Sequence, residues 1–171
     1  MLVLRGAPAF TQARLAKRLQ KIQAANPAVR ELAAELVHIA DLAAALDERE
    51  RGVLERLLTY GPRVAASGLA GQRLLVVPRI GPISPWSSKA TAVAKNCGLD
   101  KIRRIERGIG YVIAGAVKDA AALRAALHDR MTEAVLEHEA DAARLFAHAA
   151  PRPLATVDVL SQGRASIVAA N

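Results

Sequence analysis

The sequence predicts an α+β fold in which a strand–helix–strand–helix pattern runs twice along the chain, and three observations carry that prediction. Short runs rich in Leu, Val and Ile alternate with segments whose apolar residues recur every three or four positions. A small-residue stretch, RVAASGLAGQ at 63–72, separates the two rounds. The composition is 52% hydrophobic but only 3% aromatic, so the interior must be built from Leu, Val, Ile and Ala, with closely packed Ala-rich helices. At 171 residues the chain is long enough to bury a core without staples, roughly 70% of the unfolded surface.

Taken in order, MLVLRG reads as a short strand closed by Gly6. A helix is predicted over 11–25, with Leu15, Leu19 and Ile22 on one stripe and Arg14, Lys17, Arg18 and Lys21 on a solvated one. AELVHIADL at 34–42 has the length and β-branched content of a strand, although its Ala flanks leave a helix open. Asp47 with Glu50 three residues on is a capping box for a helix bearing Val53, Leu54, Leu57 and Leu58 on one face and ending at Gly61-Pro62. The second round is a strand at 73–79, a helix at 85–97, a strand at 101–115, a helix at 118–129 and a strand at 130–137. No sequence repeat accompanies the scheme, so the duplication is read in structure only. It divides 1–150 into two ferredoxin-like α+β halves, about 1–66 and 72–150, sharing or stacking their sheets. From Pro151 the periodicity lapses until a helix-like start at Gly163, and 151–171 reads as the beginning of a further domain.

Several function classes are argued against. One Cys, Cys97, allows no intramolecular disulfide, no Cys-based zinc site and no redox pair, which suits a reducing, cytoplasmic compartment. The N-terminal apolar run is too short for a secretion signal, and no run approaches the ~20 residues of a membrane span. His38, His128, His138 and His148 lack metal-ligand spacing, and neither GLAGQR nor RGIGYVIAG is a phosphate cradle. Lys plus Arg is 24 against 16 Asp plus Glu, a net charge of +8, yet the basic residues are dispersed and few aromatics exist for bases to stack on. No nucleic-acid or membrane partner is expected.

The stretch at 77–99, VPRIGPISPWSSKATAVAKNCGL, is the unusual one. At ~100° per residue, Trp86, Ala90, Val93, Ala94 and Cys97 share one helical stripe, which predicts Trp86, Val93 and Cys97 as its buried core. Ser84 before Pro85 is an N-cap with proline at the first helical position. Ser84, Ser87, Ser88 and Lys89 then gather around a turn suited to an anion or an acidic partner loop. A well-capped helix would read the same way, and the chemistry leaves both open.

GPISPWSSKATAVAKNCGL resembles the signature near the N-terminus of the large, single-chain phosphoribosylformylglycinamidine synthase, or formylglycinamide ribonucleotide amidotransferase. LRGAPAF, AELVHIADL, LERLLTYGP, IERGIGYVIAG, LHDRMTEAV and VDVLSQGRASIVAAN extend the resemblance in order along the chain. The pattern departs at Pro82 and Ala92, where Thr and Asp are usual.

The resemblance implies the non-catalytic N-terminal domain of an ATP-dependent ligase of purine biosynthesis, similar in fold to a dimer of the small accessory subunit of the split enzyme. ATP and magnesium, and the glutaminase Cys nucleophile, would belong to other domains, leaving this chain with no catalytic, cofactor or metal residues of its own. Its partners would be the synthetase, linker and glutaminase domains of the same polypeptide, with Ser84, Ser87, Ser88 and Lys89 at the contact. A free-standing ferredoxin-like ligand-binding or regulatory module is the alternative.

Overall fold

The strands form as β1 (Leu2–Pro8), β2 (Val29–Leu42), β3 (Gln72–Pro78), β4 (Ile102–Gly115) and β5 (Glu133–Leu136). In the computed structural model, which describes residues 1–61, 68–147 and 153–171, they make one five-stranded antiparallel sheet in the order β1-β2-β4-β3-β5. Between them run α1 (Gln12–Gln23), α2 (Glu48–Leu58), α3 (Pro85–Asn96) and α4 (Ala120–Leu127). A 3-10 helix, Glu139–Phe146, and α5 (Val159–Ala170) follow. Strands of both rounds therefore share a single sheet, with β2 and β4 at its centre.

Register decides what each face buries. His38 lies opposite Arg107, Ala40 opposite Ile105 and Ala34 opposite Tyr111, so these residues share one face. At one end of it α1 and α4 press Ile22, Leu123 and Leu127 onto Val29, Leu32, Tyr111 and Ile113. At the other, α2 and α3 bring Leu54, Leu58 and Ala94 onto Ala40, Ile102 and Ile105. The opposite face, with Val37, Ile39, Leu75 and Val77, is covered by Ala142 and Leu145 of the 3-10 helix. Arg5 pins that helix from below, pairing with both Glu35 and Glu139.

Local signals set the helix starts. Asp47 accepts from the Glu50 N–H at 2.8 Å, and the Glu50 carboxylate accepts from the Asp47 N–H at 2.8 Å. Long-range pairing sets what local signals do not. β2 begins at Val29, well before position 34, because Val29 to Ala33 find partners in the last residues of β4. At their meeting point Gly115 has φ 115°, and a Cβ there would sit 2.1 Å from the Ala28 carbonyl. α2 stops at Leu58, short of Gly61, and the expected Pro62 terminus and the first half of the small-residue linker lie outside the described residues. α5 starts at Val159 under an Asp158 cap, and Gly163, expected as a start, is instead a break at φ 58°, ψ −144°.

Candidate functional site

α3 begins where Ser84, in extended conformation, accepts from the Ser87 N–H at 3.1 Å, with Pro85 following. The same hydroxyl donates to Glu106 Oε2 at 2.7 Å, and the Ser84 N–H donates to Oε1 at 3.3 Å. Glu106 is fully buried on β4, and two residues away on the same strand face Arg104 donates to it through Nε at 3.0 Å. The remaining Arg104 donors reach the Leu145 carbonyl at 3.0 Å and the Pro82 carbonyl at 3.1 Å. A buried carboxylate needs such a paired and hydrogen-bonded setting. The positive end of α3 is thus met by the domain's own carboxylate.

The buried side of α3 is not the expected one. Ser87 and Ala94 face inward, and Thr91 Oγ1 accepts from the Ile105 N–H at 3.0 Å. Val93 is 48% exposed and Cys97, the C-cap just beyond the helix, is exposed, against the expectation of a buried core for these two, whereas Trp86 is half-buried and packs against the cluster of Ala40, Leu54 and Ile105. The helix is turned by roughly 80° from the apolar stripe. Small side chains let it lie close against β4, whereas an inward Trp86 would hold it away. Of the four residues expected at a contact, Ser88 and Lys89 point outward; Ser84 is tied to Glu106, and Ser87 is enclosed.

A cluster that sequence reasoning missed lies beside that outer side. His38 of β2 is buried against Gly6, where a Cβ would come within 2.9 Å of its Cε1. Its Nε2 is 2.6 Å from the Tyr60 hydroxyl, which accepts from Arg107 Nη1 at 3.3 Å. The Tyr60 hydroxyl, with one lone pair taken by Arg107, shares one hydrogen bond with His38 Nε2, whose direction is set by the imidazole tautomer. Burial, and then the Arg107 charge, push the His38 pKa down to about 4, partly offset by the Leu4 backbone. The Arg107 guanidinium lies 4.8 Å from the Trp86 ring centroid and 6.0 Å from that of Tyr60. The only sequence signal is the alternation of β2 and β4, which acquires meaning once His38 is known to oppose Arg107.

Two hollows flank the cluster. One of about 330 Å³ lies beside His38, Tyr60, Gly6 and Glu55, and one of about 240 Å³ runs between α2 and α3 past Leu57, Trp86, Lys89 and Val93. Among the described residues no three His, Cys, Asp or Glu side chains converge to hold a metal ion. His128 Nδ1 lies 2.5 Å from the Arg124 carbonyl, His138 precedes the 3-10 helix, and His148 is outside the described residues.

Fold and surface together define a mixed α/β domain with one helix presenting apolar and basic side chains outward. The chain belongs to the formylglycinamide ribonucleotide amidotransferase N-terminal family, whose model matches residues 35–146, from within β2 to the end of the 3-10 helix. The family is the N-terminal part of an amidotransferase of purine biosynthesis, and His38, Tyr60, Trp86 and Arg107 all lie within the match. No helix among the described residues is long and apolar enough to cross a membrane.

Proposed function

We propose that this chain is the docking domain of the ligase that converts formylglycinamide ribonucleotide, ATP and glutamine to formylglycinamidine ribonucleotide, ADP, phosphate and glutamate. The chain takes no part in the chemistry. It sits on the synthetase domain and helps to place the glutaminase and the ammonia path, while ATP, magnesium and the glutaminase nucleophile belong to the other domains. The observation that carries this reading is the family match over 35–146.

The strand order supports a further part of it. β2 and β4 meet antiparallel at the centre with β1 and β3 outside them, the order two ferredoxin-like halves would give if joined as a dimer of the small accessory subunit. Residues 151–171 lead into the linker domain, and Leu160, Ile167 and Val168 of α5, all exposed, await its core. Ser88 and Lys89 are the outward polar groups of the contact. The assembly works in the cytoplasm, without nucleic acid or membrane.

The purified chain, assayed for glutamate release and ATP hydrolysis, should show neither, and it should copurify with the remaining domains supplied as a second chain. Glutamate release by the chain alone, or failure to copurify, contradicts the reading.

A further inference from the structure

We propose that the buried Arg104–Glu106 pair ties the end of the 3-10 helix to the start of α3, so that a displacement of the chain at Phe146 is felt in the first turn of α3. No hydrogen bond or ion pair among the described residues joins those two elements directly. Arg104 reaches one of them: Nη1 donates to the Leu145 carbonyl at 3.0 Å, and the guanidinium lies 5.6 Å from the Phe146 ring centroid. Glu106 reaches the other, accepting from both the N–H and the hydroxyl of Ser84, the N-cap of α3. Nε of Arg104, donating to Glu106 at 3.0 Å, closes the path, and Nη2 adds the Pro82 carbonyl just before the cap.

Two features let the tie transmit. Both side chains are buried, and a guanidinium presents its donors in one rigid plane. Neither group can release a partner without leaving a donor or acceptor unsatisfied, so the contacts shift together. The start of α3, in turn, is not held by a sheet ladder. β3 pairs with β4 only over Gln72–Val76 against Ile109–Ile113, and beside 104–107 the place of a strand is taken by the side chains of Ser84 and Thr91. The seat of α3 is therefore set by a few bonds, two of which end on Glu106. On the docking reading, on which this use of the tie rests, Ser88 and Lys89 of that first turn face the synthetase domain and the chain beyond Phe146 leads to the linker domain. The pair then fixes the angle between the two attachments.

The test is hydrogen exchange on this chain, with the capped first turn of α2 as the internal control. Phe146→Ala should speed exchange at the Ser87 and Ser88 amides at least ~10-fold and leave those of Glu50 and Arg51 unchanged. Leu136→Ala, in the apolar cluster of Leu145 but outside the tie, should move none of the four. Arg104→Lys keeps a charge for Glu106, but an ammonium cannot span Glu106, Pro82 and Leu145 together, so in that background Phe146→Ala should leave Ser87 and Ser88 alone. Coupling is reciprocal, so Ser84→Ala should speed amides 145–147 by a similar factor. Ser87 and Ser88 unmoved by Phe146→Ala, moved equally by Leu136→Ala, or still moved in the Arg104→Lys background would remove the tie. Copurification with the remaining domains tests the docking reading separately: its failure leaves the tie without that use, and a failed exchange test leaves docking intact.

Discussion

The two sides of α3 make an instructive pair. The outer side carries Val93, with Cys97 exposed at the C-cap, and the inner side carries Ser87, Thr91 and Ala94, while Trp86 lies half-buried at the flank against the core. Ranked by hydrophobicity the outer side should be buried. The inner side is buried instead, because small side chains allow close approach to β4 and Thr91 satisfies the Ile105 N–H that faces it. In a chain this rich in Ala, size and hydrogen bonding fix the rotation of a helix, and Val93 is left to face outward while Trp86 covers the flank.

The largest effect that separates the sides should come from the anchor of the inner one. Glu106→Ala leaves Arg104 buried without its partner and frees the Ser84 cap, and should cost about 3–5 kcal/mol in urea unfolding. A loss below ~1 kcal/mol would mean that the carboxylate does not hold the start of α3.

Next comes the acid limb of stability, which probes His38 beneath Trp86. Its pKa is lowered from 6.5 to about 4 in the folded chain, so the unfolded chain binds more protons between those values and stability falls as pH drops through that window. The contribution is fully present above pH 6.5, and at most about 3 kcal/mol is lost by pH 4. Denaturation at stepped pH should show that limb, and His38→Gln should flatten it. An unchanged slope in the variant would assign the acid sensitivity elsewhere.

The direct contrast is smaller. Ala94→Leu overpacks the inner side and should cost about 1–3 kcal/mol, whereas Val93→Leu, one position away on the outer side, should stay within ~0.5 kcal/mol. Equal melting shifts for the two would erase the distinction.

What the sequence made legible was local. The Asp47–Glu50 capping box and the Ser84-Pro85 start appear as read, because each is settled within four residues. The elements are recoverable from periodicity, and the resemblance of 81–99 points to the same family that the match over 35–146 shows. The rotation of α3 was not legible, since it depends on how near β4 comes. Nor was the His38–Arg107 pair, which exists only through a register joining residues far apart in the chain. Glu106 was overlooked for the same reason: in IERG it looks like a solvated charge, and only the fold brings Ser84 and Arg104 to it.

The outward orientation of the apolar stripe is the central claim, and Cys97, the only thiol in the chain, reports on it directly. The measurement is the rate at which a small neutral thiol reagent labels Cys97 in the folded chain and in the same chain unfolded in denaturant. An outward stripe predicts rates within a few-fold of each other. Labelling that is slower in the folded chain by a factor of ~100 or more would place Cys97 inside and return the stripe to the core.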